Sequence, residues 1–221
     1  GGEGSVADVI EGIRWVINEG GQQPRADVIN LSLGSQSDNP QLASAVTDAA
    51  EAGILVVAAS GNAGNDRPFY PAAYSQSLAV GSVDCKGKRS SFSNFGVWLD
   101  LVAPGGGNPR CFDQAGRDKS TLLSTSGDTL GAPTLSRRRG TSMATPLVAG
   151  TLGLMRDVST GITTPLVRAL VREGIITDKD KAERDDSARG QFNLERGRGL
   201  INADLAVSQD FSNYQALAPS P

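Results

Sequence analysis

The sequence predicts an α/β fold: a wound, mostly parallel sheet with helices on both faces. Three features point there. Helical and strand periodicities alternate through the first two-thirds of the chain, the order that lays helices over a parallel sheet. The run Ile54–Ala59 (ILVVAA) is apolar at every position, as a strand covered on both faces must be. Thr141–Arg156 is a helical stretch of almost wholly small and apolar residues, and a helix that is apolar all round belongs in an interior.

Along the chain, Val6, Val9, Ile10, Ile13, Val16 and Ile17 share helical spacing between Ser5, an N-cap residue, and the Gly20-Gly21 stop. VINLSL, after Asp27, is a β-branched run closed by Gly34 and reads as a strand. Asn39-Pro40 opens a second helix through Leu42, Ala45, Val46 and Ala49, ended by Gly53. Further strands are expected at Ile54–Ala59, Leu78–Val83 and Trp98–Ala103. From Gly105 to Arg139 the chain is irregular and rich in Gly, Ser and Thr, which suggests hairpins and loops. Pro146 falls in the first turns of the long helix, where a missing N–H costs little. An amphipathic helix is expected over Thr164–Glu173, a solvated charged loop over Asp178–Arg189, and a Gly turn with a short helix over Gly197–Val207. Residues 211–221 read as a flexible tail.

The chain has 221 residues, with 21 Lys+Arg against 24 Asp+Glu and a formal net charge of −3. That balance lacks the basic excess of a nucleic-acid binder. No apolar run reaches the roughly 20 residues that span a bilayer, so no membrane partner is expected. The chain holds no histidine, so it supplies no histidine base or metal ligand. Its two cysteines fall short of the four ligands of cysteine-built zinc and iron–sulfur sites. No metal site is read from the sequence.

Two segments carry chemistry. In Gly140–Gly150 (GTSMATPLVAG) a serine, Ser142, stands at the very start of a buried helix. Small neighbours let a substrate backbone approach, and first-turn N–H groups favour developing negative charge. A serine hydroxyl is a poor nucleophile until a base takes its proton, so this segment places a nucleophile and leaves the base to be found. The plainer reading is a Ser/Thr cap on a core helix. In Ala58–Gly64 (AASGNAG), Asn62 follows a central strand and can aim its amide N–H into a cleft at the carboxyl end of the sheet, where such folds bind ligands. The plainer reading is a Gly-Asn turn.

Together, GTSMATP, AASGN and ADVINLSLG resemble the subtilisin-like serine proteases, as do FYPAAY…LAVGSVD, RSSFSNFG, LDLVAPG and GRGLINADLAV, in the family's order. The resemblance runs from Gly4 to about Val207. It implies that residues 1–210 are the C-terminal portion of a catalytic domain whose N-terminal part is absent from this chain. Ser142 then matches the nucleophile. Asn62 matches the side-chain donor of the oxyanion hole, with the Ser142 N–H beside it and Thr141 in support. Ser32, Leu33 and Gly34 match the strand that pairs with an extended peptide or protein substrate. Ala59, Ser60 and Gly61 match a wall of the specificity pocket. The family's acid–base pair has no counterpart: Asp27, Asp66, Asp84 and Asp100 lie outside its aspartate motif. An N-terminal fragment carrying Asp and His is therefore the expected partner, and it would also cover an apolar strand edge that otherwise invites aggregation.

The resemblance further implies an exported protein, extracellular or periplasmic. There Cys85 and Cys111 would join across the Gly-rich segment, two free thiols being the alternative. No cofactor is required for the chemistry; structural calcium is common in the family, but its carbonyl ligands leave no sequence pattern. Leu147 stands where many relatives carry a histidine, at a buried, non-catalytic position. Phe69, just before Tyr70-Pro71, stands where relatives often have a small residue near the pocket floor; it either shortens the pocket or packs in the core. Arg137, Arg138 and Arg139 either favour acidic residues on the leaving-group side of the substrate or form a solvated basic loop. Two other function classes stay open: a protease-like scaffold that binds peptides without cutting them, and a nucleotide-binding domain. The second rests on Gly2-x-Gly4-x-x-Ala7, which no strand precedes, and on Gly81–Lys88, which misses a phosphate loop by one residue.

Overall fold

A computed structural model describes residues 4–17, 24, 26–107, 112, 116–127, 132–159, 161–178 and 192–217. Helix α1 (Val6–Ile17) starts on a reciprocal cap: the Asp8 N–H donates to Ser5 Oγ, and the Ser5 N–H donates to Asp8 Oδ2, each at 3.1 Å. Strand β1 (Val28–Leu31) follows. Helix α2 (Pro40–Glu51) is capped by Asn39 Oδ1, which accepts the Leu42 N–H at 2.9 Å. Then come β2 (Leu55–Ala59), β3 (Ser77–Val83) and β4 (Leu101–Pro104). The fourth strand starts later than the sequence suggests, because the Leu99 N–H closes a turn onto Gly96 O at 3.1 Å.

The four strands form one parallel sheet in the order β1-β2-β3-β4. Alternation along each strand divides two cores. Leu55, Val57, Leu78, Val80, Leu101 and Ala103 face the core shared with α3 (Thr141–Val158) and α4 (Thr164–Arg172). Val56, Ala58, Ala79 and Val102 face the core shared with α1 and α2. Helices therefore lie on both faces of the sheet, as the sequence predicts. The expected hairpin is present as β5 (Leu122–Gly127) and β6 (Pro133–Arg138), antiparallel and largely exposed. Arg168 ties α4 to the sheet: it pairs with Asp100 at 2.8 Å and donates to the carbonyls of Ser75 and Ser77. No helix among the described residues is long and apolar enough to cross a membrane.

Two expectations change. The tail expected from residue 211 instead begins with a 3-10 helix, Phe211–Leu217, after α5 (Ala203–Val207). Phe211 is 0% exposed and its ring lies 5.9 Å from that of Tyr214, tilted by 53°, so burying one ring fixes a segment that its polar composition does not announce. Residues 218–221 and most of the charged run after Asp178 lie outside the described residues. The resemblance also implied burial at Leu147, yet Leu147 is 42% exposed. The buried face of α3 runs through Ala144, Thr145, Val148, Leu152 and Met155, and Leu147, Leu154 and Val158 recur along its flank. Helix α3 is thus buried along one face, with an apolar stripe left open.

Candidate active site

The site forms where β1, β2 and β4 end and α3 begins. The loop after β1 carries Ser32, Leu33 and Gly34, and the loop after β2 carries Ser60, Gly61 and Asn62. Gly140 enters α3 by donating its N–H to Gly105 O, just past β4, at 2.9 Å. The turn of chain that holds Ser142 is therefore fixed to the β4 edge behind it and reaches toward the β1 edge in front.

Asn62 and the start of α3 meet directly. Asn62 Oδ1 accepts the Thr141 N–H at 2.9 Å and the Thr141 hydroxyl at 3.1 Å. Both donors fall on the oxygen, so the Nδ2 donor points away from α3's first residue. Asn62 is exposed, Thr141 is fully buried, and Ser142 is half-buried. An exposed amide is thereby held by a buried anchor. In the first turn of α3 the Thr141 N–H is taken by Asn62 Oδ1 and the Met143 N–H by Gly140 O at 3.0 Å, while the Ser142 N–H lies at a position with no intrahelical acceptor.

Ser142 also meets the loop after β1. Its Oγ donates to Ser32 O at 3.2 Å, and Ser32 Oγ donates to Ser142 O at 3.0 Å. Pro146 explains the second bond. Residue 146 is one turn after Ser142 and has no N–H, so the Ser142 carbonyl loses its usual helical partner. Ser32 supplies the replacement. The missing N–H thus does leave a carbonyl to satisfy, contrary to the expectation for Pro146, and satisfying it locks the Ser142 backbone to the β1 loop.

The other expected residues fall around this point. Ala59 and Ser60 are 1% and 0% exposed. The Ser60 N–H donates to Val80 O at 3.0 Å, which continues the β2–β3 ladder one step past Ala59. Gly61 has φ +95°, and a methyl group there would stand 2.5 Å from Asn94 Nδ2 and 2.9 Å from Phe69 Cγ, so only glycine fits. Leu33 and Gly34 are exposed, and among the described residues their backbone groups make no hydrogen bond. An open backbone edge of this kind can accept an added strand.

Sequence reasoning missed Asn94, which is fully buried behind the Asn62 loop. Its Oδ1 accepts the Ala63 N–H at 2.8 Å, and its own N–H donates to Gly61 O at 3.0 Å. It lies inside the RSSFSNFG segment, but nothing in that motif distinguishes a loop clamp from an ordinary turn residue. Three of the four aspartates set aside above use their carboxylates elsewhere, and Asp66 is bonded through its backbone carbonyl. Asp100 pairs with Arg168 and Asp27 with Arg156, Asp84 Oδ1 accepts turn N–H groups from Lys86 and Lys88, and Asp66 O accepts the Trp98 Nε1–H. Arg137 donates to Asp118 O at 2.9 Å, so this arginine braces the base of the hairpin. Among the described residues, no group of three or more His, Cys, Asp or Glu side chains could hold a metal ion. Cys85 sits in the turn after β3, and Cys111 lies outside the described residues.

Comparison with known proteins decides the family. The model of the subtilase family, Peptidase_S8, matches residues 1–199. The chain belongs to the subtilase family. Among its relatives, Subtilisin Savinase of Lederbergia lenta is 35% identical over 206 residues, covering 93% of this chain and 64% of that protein. Thermitase of Thermoactinomyces vulgaris is 38% identical over 192 residues, covering 87% of this chain and 59% of that protein. A solved protease from Pseudoalteromonas arctica PAMC 21717 superposes with a TM-score of 0.75 at 28% identity, over 93% of this chain and 59% of that one. This subtilase chain therefore spans less than two-thirds of the length of these relatives. Its parallel sheet flanked by helices is the subtilisin-like architecture.

Proposed function

We propose that this chain carries the nucleophile and the oxyanion site of a serine endopeptidase, and that the histidine and aspartate of its triad come from a segment outside this sequence. The observation that supports the reading is the contact of Asn62 with the start of α3, where Thr141, the residue before Ser142, donates its N–H and its hydroxyl to Asn62 Oδ1. A histidine base takes the Ser142 proton as Oγ attacks the scissile carbonyl. The carbonyl oxygen becomes an oxyanion, stabilised by Asn62 Nδ2 and the Ser142 N–H. The amine leaves with the proton returned from histidine, and water then resolves the acyl-enzyme through the same base. An extended peptide substrate lies along Ser32–Gly34, with its specificity side chain against Ala59–Gly61.

Two features support an N-terminal partner. Among the described strands β1 pairs only with β2, which leaves its other side as a sheet edge. Leu147, Leu154 and Val158 leave an apolar stripe of α3 uncovered. The same reading includes export, with Cys85 and Cys111 joined; no described cysteine is free. A fluorophosphonate probe tests the core of the proposal. It should label Ser142 when the chain is assembled with the triad-bearing segment, and Ser142→Ala should abolish both label and hydrolysis. Peptide binding by an assembly that resists the probe would instead identify a non-cutting scaffold.

A further inference from the structure

We infer that Phe69 closes the specificity pocket, so that this protease cuts after small residues (glycine, alanine or serine) and rejects large ones. The inference rests on the endopeptidase reading above and deepens it by naming the substrate class. Its basis is the position of one ring. A methyl group on Gly34 would stand 2.6 Å from Phe69 Cε1 and 3.1 Å from Cδ1. A methyl group on Gly61 would stand 2.9 Å from Phe69 Cγ and 3.0 Å from Cδ2. Gly34 ends the segment that the reading above pairs with substrate, and Gly61 belongs to the wall it assigns to the specificity pocket. The Cδ1–Cε1 edge of the ring faces Gly34 and the Cγ–Cδ2 edge faces Gly61, so the ring spans the space between these two segments.

The chain holds Phe69 there. Its neighbour Tyr70 exchanges two backbone bonds with Ser35, one residue past Gly34: Ser35 N to Tyr70 O at 2.9 Å and Tyr70 N to Ser35 O at 2.7 Å. Phe69 O accepts the Ala73 N–H at 2.9 Å. The alternative, a ring that merely fills the interior, does not fit. Phe69 is half-buried and belongs to neither of the two hydrophobic cores. A side chain larger than a methyl or hydroxymethyl group, entering between Gly34 and Gly61, would meet the ring. Misfits of about one methylene already change selectivity by roughly 10- to 200-fold.

The test uses the complete protease, with functional sites counted by fluorophosphonate titration. A series of internally quenched peptides varies only the residue on the acyl side of the cut: Gly, Ala, Ser, Leu or Phe. The parent should cleave the Ala peptide with kcat/KM at least about tenfold above the Leu and Phe peptides. Phe69→Gly and, as the milder change, Phe69→Ala should raise the Leu and Phe values toward or past that of Ala. A labelled, active parent that favours Leu or Phe overturns the inference and leaves the endopeptidase reading standing. So does an unchanged ranking in a labelled variant. Failure of the parent both to take up the probe and to cut any of the peptides overturns the endopeptidase reading itself, and the inference with it.

Discussion

Replacing Thr141 by valine would test how Asn62 is held. The change keeps the β-branch in a fully buried position and removes only the hydroxyl. Asn62 Oδ1 then loses the bond at 3.1 Å and keeps the one from the residue 141 N–H at 2.9 Å. Asn62 is exposed, so water can replace the lost donor, and no buried orphan is created. The cost is the net value of one neutral hydrogen bond, about 1 kcal/mol. If that energy positions the oxyanion donor, it is felt where charge develops, and kcat should fall about fivefold. KM should stay within about twofold, because ground-state binding along Ser32–Gly34 does not involve this bond. Steady-state kinetics on one peptide, with melting temperature measured in parallel, separate the two effects. Thr141→Ser should restore kcat by returning the hydroxyl. A valine variant with lower melting temperature and unchanged kcat, or a serine variant that fails to rescue, would show that Thr141 only packs.

Three other outcomes are expected. Asn62→Ala should lower kcat by roughly 10²- to 10³-fold with little change in KM; that size is carried over from subtilisin, itself a member of this family, and an effect below tenfold in the assembled protease would remove Asn62 from the oxyanion site. Phe211→Ala should destabilise the fold by about 3–5 kcal/mol in denaturant unfolding, since the ring is 0% exposed; a loss under about 1 kcal/mol would return residues 211–217 to a loose tail. Bonds from the Ser120 side chain and N–H hold the Asp118 carboxyl below its ordinary value of 3.8. This contribution is present above that value and is lost as pH falls through the lower folded one, so carboxyl NMR should place the Asp118 midpoint below 3.8, and a midpoint above it contradicts the bonding at the hairpin base.

Much of the fold was legible because its signals are local. The apolar run of β2, the Asn39 cap of α2 and the glycines that end each strand act within a few residues of themselves. Ser142 and Asn62 stood out for the same reason, each in a short motif beside an element end. For Phe69 the sequence left two readings open, a shortened pocket or a ring in the core, and choosing between them needs the folded chain, which brings the ring beside Gly34 and Gly61, 35 and 8 residues away.

By itself the sequence determined the order of helices and strands, the burial of the central strand, the absence of a histidine, and the two motifs to which the proposed chemistry is assigned. Only the tertiary structure decided that Asn94 clamps the Asn62 loop, that Ser32 satisfies the carbonyl Pro146 leaves open, that α3 keeps an apolar flank exposed, and that Phe211 is anchored. Periodicity and capping are encoded by neighbours in sequence. The satisfaction of a stray carbonyl or the filling of a pocket depends on which distant residues the folded chain brings within three or four ångströms, and no local pattern records that.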